Sequence, residues 1–333
     1  MLNSDLKLAK NIFDTPDMAP TRDGFGTGLV EAGEKDSRVV AVCADLAEST
    51  RILAFKEKFP DRYIEAGVAE QNLATVASGL ANYGKIPFIA SYATFSPGRN
   101  NEQIRTTVSI NNVPVKIVGS HAGVSVGPDG ATHQALEDIA LMRVQPRMTV
   151  LYPCDREQAR KATLAAAEHQ GPVYLRLARE KTPIMTTAQT SFEFGKAQLM
   201  WQPKDRRKKP DVVVFATGPL LYNALIAARD LEEKLAVVVI NIHTIKPLDA
   251  ATVVQWAKKA GAVVTVEEHQ VAGGLGGAIA EVLASQAPVP VEFIGVHDQF
   301  GQSGEPAELI AHYHMDAPSI IDAITKVKAR KAK

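Results

Sequence analysis

The run Val39 to Ala44, VVAVCA, is apolar at every position. Side chains alternate across a strand, so such a run has no face for water and belongs inside a parallel sheet covered on both sides. Tyr63 to Val68, Ile86 to Tyr92, Val115 to Ser120 (VKIVGS), Met148 to Tyr152 and Val173 to Ala178 (VYLRLA) read as further strands. Helical segments separate them: Asp23 to Gly33, Ala69 to Tyr83, Asn100 to Ser109, Ala135 to Met142 and Asp155 to His169. In the second of these, Leu73, Val76, Ala77 and Leu80 recur at helical spacing, and Gly84 follows at the position that ends a helix. Strands alternating with helices predict a doubly wound α/β sheet, whose ligands bind beyond the carboxyl ends of the strands.

Glu180 to Pro210 breaks the alternation with Thr, Ser and Gln, a basic run and Pro210. A second α/β set follows, with strands at 211–216, 236–242, 262–267 and 291–296 and helices at 220–231, 250–260 and 277–285. The division expected is a first domain over 1–185, opening with an ill-defined arm of about 20 residues, a linker over 186–210 and a second domain over 211–333. Length agrees, since 333 residues make about two domains at roughly 150 residues each.

Charge excludes some classes of partner. The 37 basic residues balance 37 acidic ones, so no general affinity for nucleic acid or membranes is implied. The basic run Lys204 to Lys209 and the tail KVKARKAK read as a solvated loop and terminus. Cys43 and Cys154 are too few for a disulfide framework and lack metal-ligand spacing. No metal site is expected in the chain itself. No apolar run approaches the ~18 residues of a membrane span, and no signal-peptide core stands at the start. The expectation is a soluble, cytoplasmic protein.

Two motifs carry the chemistry. In YIEAGVAEQNLATVASGLANYGKIPFIASYATF, Tyr63 to Phe95, Glu70 sits in the first turn of a helix directly after a strand. A lone glutamate there also simply complements the helix dipole. In SHAGVSVGPDGATHQ, His121 follows a strand, and an Asp-Gly and a Thr-His-Gln place His133 twelve residues beyond it. Together these resemble the transketolase family of thiamine-diphosphate enzymes, over nearly the whole chain. The resemblance implies a pyrimidine-binding domain followed by the family's C-terminal α/β domain, the latter matched at EEHQ, AGGLGGAIAEVL and GQSGEP.

By that resemblance Glu70 is the carboxylic acid that meets the pyrimidine nitrogen of thiamine diphosphate and promotes formation of the C2 carbanion. Burial would have to hold it partly protonated against the helix N-terminus. Phe95 is the stacking ring, with Tyr92 as the alternative, and Asp45 matches an aspartate of the cofactor loop. His121 and His133 would move protons at the sugar, since histidine titrates near neutrality. Asp129 would accept from a substrate hydroxyl. Arg179, Arg22, Ser49 and His121 match the positions that bind the substrate phosphate, where cations and donors are needed.

The family's Gly-Asp-Gly motif and distal Asn, which hold the diphosphate and its Mg²⁺ or Ca²⁺, have no match here. The resemblance therefore implies the C-terminal subunit of a split transketolase, completed by an N-terminal partner chain in an α₂β₂ assembly and acting on sugar phosphates. The β subunit of a 2-oxoacid dehydrogenase shares the two domains, but Asp-Gly-Ala-Thr-His-Gln and Arg179 favour a sugar phosphate over a lipoyl substrate. Deoxyxylulose phosphate synthase shares the string and is normally one long chain. A non-catalytic homologue would not need Glu70, His121 and His133 together. Variants for apiose-derived or sulfonated sugars would look alike. The Gly273 to Gly277 run lacks dinucleotide spacing and reads as a tight turn with close helix approach.

Overall fold

A computed structural model describes residues 1–205 and 207–331; Arg206 of the basic run and residues 332–333 of the tail lie outside it. The strands are β1 (Met18–Ala19), β2 (Val39–Cys43), β3 (Tyr63–Glu65), β4 (Ile86–Tyr92), β5 (Lys116–Ser120), β6 (Thr149–Leu151) and β7 (Val173–Arg176). They continue as β8 (Thr182–Pro183), β9 (Gln198–Trp201), β10 (Val212–Ala216), β11 (Val237–Asn241), β12 (Thr244–Lys246), β13 (Val263–Gln270) and β14 (Val291–Val296). The α-helices begin with α1 (Thr21–Lys35), α2 (Leu53–Lys58), α3 (Glu70–Asn82), α4 (Asn101–Gln103), α5 (Asp138–Arg143) and α6 (Arg156–Glu168). After them come α7 (Leu221–Asp230), α8 (Ala250–Ala260), α9 (Leu275–Gln286), α10 (Pro306–His312) and α11 (Ala317–Ala329).

The expected mixed α/β architecture is present as two large sheets, beside a small antiparallel pair of β1 and β8. The first has the order β12-β6-β7-β5-β4-β2-β3 and is parallel except for β12. Every residue of β2 is buried, as its doubly apolar run requires, and β5 and β7 are fully buried as well, Lys116 and Arg176 included. The second has the order β14-β13-β10-β11-β9 and is parallel except for β9. One core cluster crosses between them, joining Val42, Ile117 and Tyr152 to Val213, Phe215 and Leu275.

Four expectations change. The arm is ordered: Ile12 is fully buried in the second sheet's core, Leu2, Leu6 and Phe13 pack beside it, and Phe13 meets Trp201 edge-on at 5.8 Å. The stretch read as linker contributes β9, a four-residue strand too short to stand out between its polar flanks. β12, from the second half of the chain, closes the first sheet, where Lys246 donates to the carbonyl of Arg143 at 2.9 Å. The segment read as one helix over 100–109 is α4 followed by a π-helical turn, Ile104–Ser109. Among the described residues no helix is long and apolar enough to cross a membrane.

The glycine-rich turn before α9 is filled from within. Glu267 accepts the amides of Leu275 and Gly276, both at 2.7 Å, so a side-chain carboxylate occupies the place a phosphate would take. A Cβ on Gly274 would stand 2.0 Å from that carboxylate, which is the close approach that demands glycine.

Candidate active site

The loops after β2, β4, β5 and β7 and the start of α3 lie at one end of the parallel sheet, the carboxyl end of its strands. Glu70 is the first residue of α3 and only 5% exposed. Arg99 Nη1 donates to both its oxygens, at 3.0 and 3.2 Å, and the same guanidinium lies 4.0 Å over the Phe95 ring. Asn100 fastens the helix start by donating to the Glu70 carbonyl at 3.0 Å. Sequence reasoning does not anticipate Arg99 or Asn100. The available signal is a cation four residues after the aromatic, close to a carboxylate whose burial calls for a counter-charge.

Tyr92 is where the predicted residues converge. In the β4–β5 register it stands opposite Ser120, which puts its ring against the next residue, His121. The two rings stack at 3.9 Å and 22°. Phe95 lies on Tyr92 at 5.9 Å and 16°, and His133 points its edge at both, 6.0 Å from Tyr92 and 5.3 Å from Phe95. Tyr92 thus touches both histidines and the candidate stacking ring.

His121 is 2% exposed and has a left-handed backbone, φ 56°. Arg22 Nη1 lies 3.1 Å from its Nε2, and Ser120 Oγ lies 2.9 Å from its Nδ1. A guanidinium can only donate, so Nε2 accepts and the proton sits on Nδ1, donated to Ser120. Burial, then the charges of Arg22, Arg179 and Arg51, push its pKa down to about 3. His133 is partly exposed, with Thr132 Oγ1 2.9 Å from its Nδ1.

The anion-facing residues form two groups. Arg22 also donates to the Ser49 carbonyl at 2.8 Å, so Ser49 enters through its backbone. Arg179 donates to the Val126 carbonyl at 2.8 Å and pairs with Asp129 at 3.5 Å, so two residues expected to meet substrate separately meet each other. Asp45, in the loop after β2 and with φ 57°, donates its amide to Glu65 at 2.7 Å. Glu65 also accepts from the Gly67 amide at 3.0 Å and from the Tyr63 hydroxyl. Burial pushes the Glu65 pKa upward, yet those hydrogen bonds outweigh it and the net shift is down. Sequence reasoning passes over Glu65, an acid two residues before a turn glycine.

These residues fit the pyrimidine end of thiamine diphosphate: a buried carboxylate beside aromatic faces at the strand ends. A ring that takes both the carboxylate and that face of Phe95 must move Arg99 aside, and the Arg99 side chain is already half exposed.

Comparison with known proteins agrees with the geometry. Residues 17–185 match the transketolase pyrimidine-binding domain and residues 203–320 the transketolase C-terminal domain. The chain is 40% identical to a 6-deoxy-6-sulfo-D-fructose transketolase subunit of Clostridium sp. (strain MSTE9), over 93% of this chain and 95% of that one. It is 34% identical to one of the subunits of an apulose-4-phosphate transketolase from Phocaeicola vulgatus, over 91% and 96% respectively. A solved split-gene transketolase, described as an inactive β4 tetramer, superposes with a TM-score of 0.86 at 41% identity, covering 94% of this chain and 99% of the other.

Proposed function

The chain belongs to the transketolase family, and from that premise we propose that it is the C-terminal subunit of a split transketolase. It holds the pyrimidine end of thiamine diphosphate, and a separate N-terminal subunit holds the diphosphate and its divalent metal. The observation that carries the reading is the convergence of Phe95, His121 and His133 on Tyr92, beside the buried Glu70. Val68, two residues before Glu70, is 71% exposed, and such an apolar side chain at the mouth of the site suits a partner surface.

Bound thiamine diphosphate supplies the carbon nucleophile that carries a two-carbon ketol unit from ketose to aldehyde. Glu70 would hold a proton at the pyrimidine ring nitrogen. His133, the more open histidine, would move protons at the substrate hydroxyls. His121 stays neutral and orients rather than charges: its ring backs Tyr92 and holds Arg22 toward the site. Arg179 and Arg22 would meet the anionic end of the sugar. That end is a phosphate in the ordinary case. The relatives named for a sulfonated sugar and for apulose 4-phosphate support a second version, in which the same cations meet another anionic sugar.

The deciding assay combines the purified chain with its partner, thiamine diphosphate, Mg²⁺, a ketose phosphate and an aldose phosphate. Ketol transfer that needs both chains supports the proposal. Robust turnover by this chain alone overturns it.

A further inference from the structure

The loop at 121–134 carries His121 and His133 at its two ends and Asp129 between them, yet it has little regular structure of its own. Its helical turns break at Gly127, where φ is 81°. First-domain residues hold it at Ala122, whose amide donates to the Leu177 carbonyl at 3.1 Å, and at Val126 through Arg179, and the second domain adds a further set of contacts. Glu268, on β13 and 1% exposed, accepts the Ser125 amide at 2.7 Å. A Cβ on Gly123, where φ is 89°, would stand 2.2 Å from the same oxygen, so the loop closes tightly on the carboxylate. Gln134, beside His133, donates through Nε2 to Val124 in its own loop at 3.0 Å and to Gln302 in the second domain at 2.9 Å. Arg176, fully buried, donates to the Ala135 carbonyl at 3.0 Å and the Glu268 carbonyl at 2.9 Å. The backbone adds a link from the Gln270 amide to the Leu136 carbonyl at 2.8 Å.

We propose that the second domain acts as the template for the substrate loop, with Glu268 and Gln134 as positioning residues that set where Asp129 and the two histidines stand. The energetics favour this assignment. A buried backbone amide such as that of Ser125 must be paired, and a carboxylate acceptor is among the strongest partners available to it. Losing that acceptor leaves the segment around Ser125 to its remaining ties, from Arg179 to Val126 and Asp129 and from Gln134 to Val124, whereas the parallel strands beneath keep their ladders. The inference rests on the proposed function only for what the loop does, not for what holds it.

The test compares Glu268→Met, of similar length but without the acceptor, with Glu268→Gln, whose side-chain carbonyl can still accept. Hydrogen exchange in the full chain is the first readout. Peptides covering 122–130 should exchange roughly tenfold faster in the methionine variant, as expected when a charge-assisted hydrogen bond is lost. They should stay close to wild type in the glutamine variant, with peptides of β2 and β4 unchanged in both. Unaltered loop exchange in Glu268→Met overturns the proposal. So does faster exchange throughout the chain, which would make Glu268 a general core residue. If the methionine variant does not fold, Gln134→Met, which removes the donors to Val124 and Gln302, is judged by the same criteria.

The second readout is kinetic, in the complex with the partner. Glu268→Met should raise KM for the sugar and lower kcat while leaving thiamine diphosphate affinity unchanged, because Glu70 opens α3 and Phe95 lies in the loop after β4, both outside the 121–134 loop. Loss of cofactor affinity to the same extent counts against a loop-positioning role. If wild type itself shows no ketol transfer, the transketolase reading fails, and the exchange result still decides this one.

Discussion

Arg99 neutralises Glu70 across 29 residues of sequence, one guanidinium nitrogen spanning both carboxylate oxygens at 3.0 and 3.2 Å. The pairing makes the first residue of α3 more than a helix-dipole partner, because among the described residues Arg99 is the cation that pairs with a carboxylate only 5% exposed.

Glu70→Gln should leave fold and assembly intact and cut turnover strongly. Contributions of positioned proton-holding groups run at roughly 10²–10⁴-fold. Circular dichroism checks the fold, and steady-state assay with the partner checks the rate. A loss below about tenfold would reduce Glu70 to its dipole role.

Arg99→Ala should destabilise the chain near neutral pH, and adding Glu70→Gln should restore much of the loss. Because Arg99 is half exposed, the coupling in a double-mutant cycle should be about 1 kcal/mol rather than that of a fully buried pair. Urea unfolding of the four proteins measures it. Additive effects would mean the contact contributes nothing.

Arg179→Ala should raise KM for substrates with a phosphate at the far end roughly 10- to 100-fold, with little change in kcat. A remote phosphate binds ground and transition states alike, and a charge-assisted hydrogen bond is worth about 1.5–3 kcal/mol. Hydroxypyruvate with glycolaldehyde, which carries no such group, should be nearly unaffected. Equal loss with both substrate classes would assign Arg179 to holding the Val126 and Asp129 loop instead.

His121 should remain neutral from pH 8 to pH 5, with its proton on Nδ1, as nitrogen chemical shifts would report. Its folded pKa, about 3, lies below the unfolded value near 6.5, so the unfolded chain binds the extra proton between them. Stability from this group is complete above pH 6.5 and falls as pH drops toward 3, by up to about 1.4 kcal/mol per pH unit. The difference in pH slope between wild type and His121→Asn isolates it from other buried groups. A matching slope in the variant would show that His121 titrates normally in the folded chain.

Much of the architecture was legible because it is local. A run such as VVAVCA is apolar on both faces, so it must be a covered strand, and parallel strands put their following loops at one end. That reasoning places Glu70 and His121, each just after a strand, at one end of the sheet, while the family resemblance singled out Phe95 and Arg179. It could not foresee that Arg99 would turn back onto Glu70, that Asp129 would pair with Arg179, or that Tyr92 would be the ring touching both histidines. Nor could it assign the arm around Ile12 to the second sheet, or β12 to the first. Periodicity and turn chemistry are properties of neighbouring residues, and sequence alone determined them. Counter-charges, tautomers and edge-strand pairing depend on distances that exist only after the chain has packed, and the tertiary structure decided those.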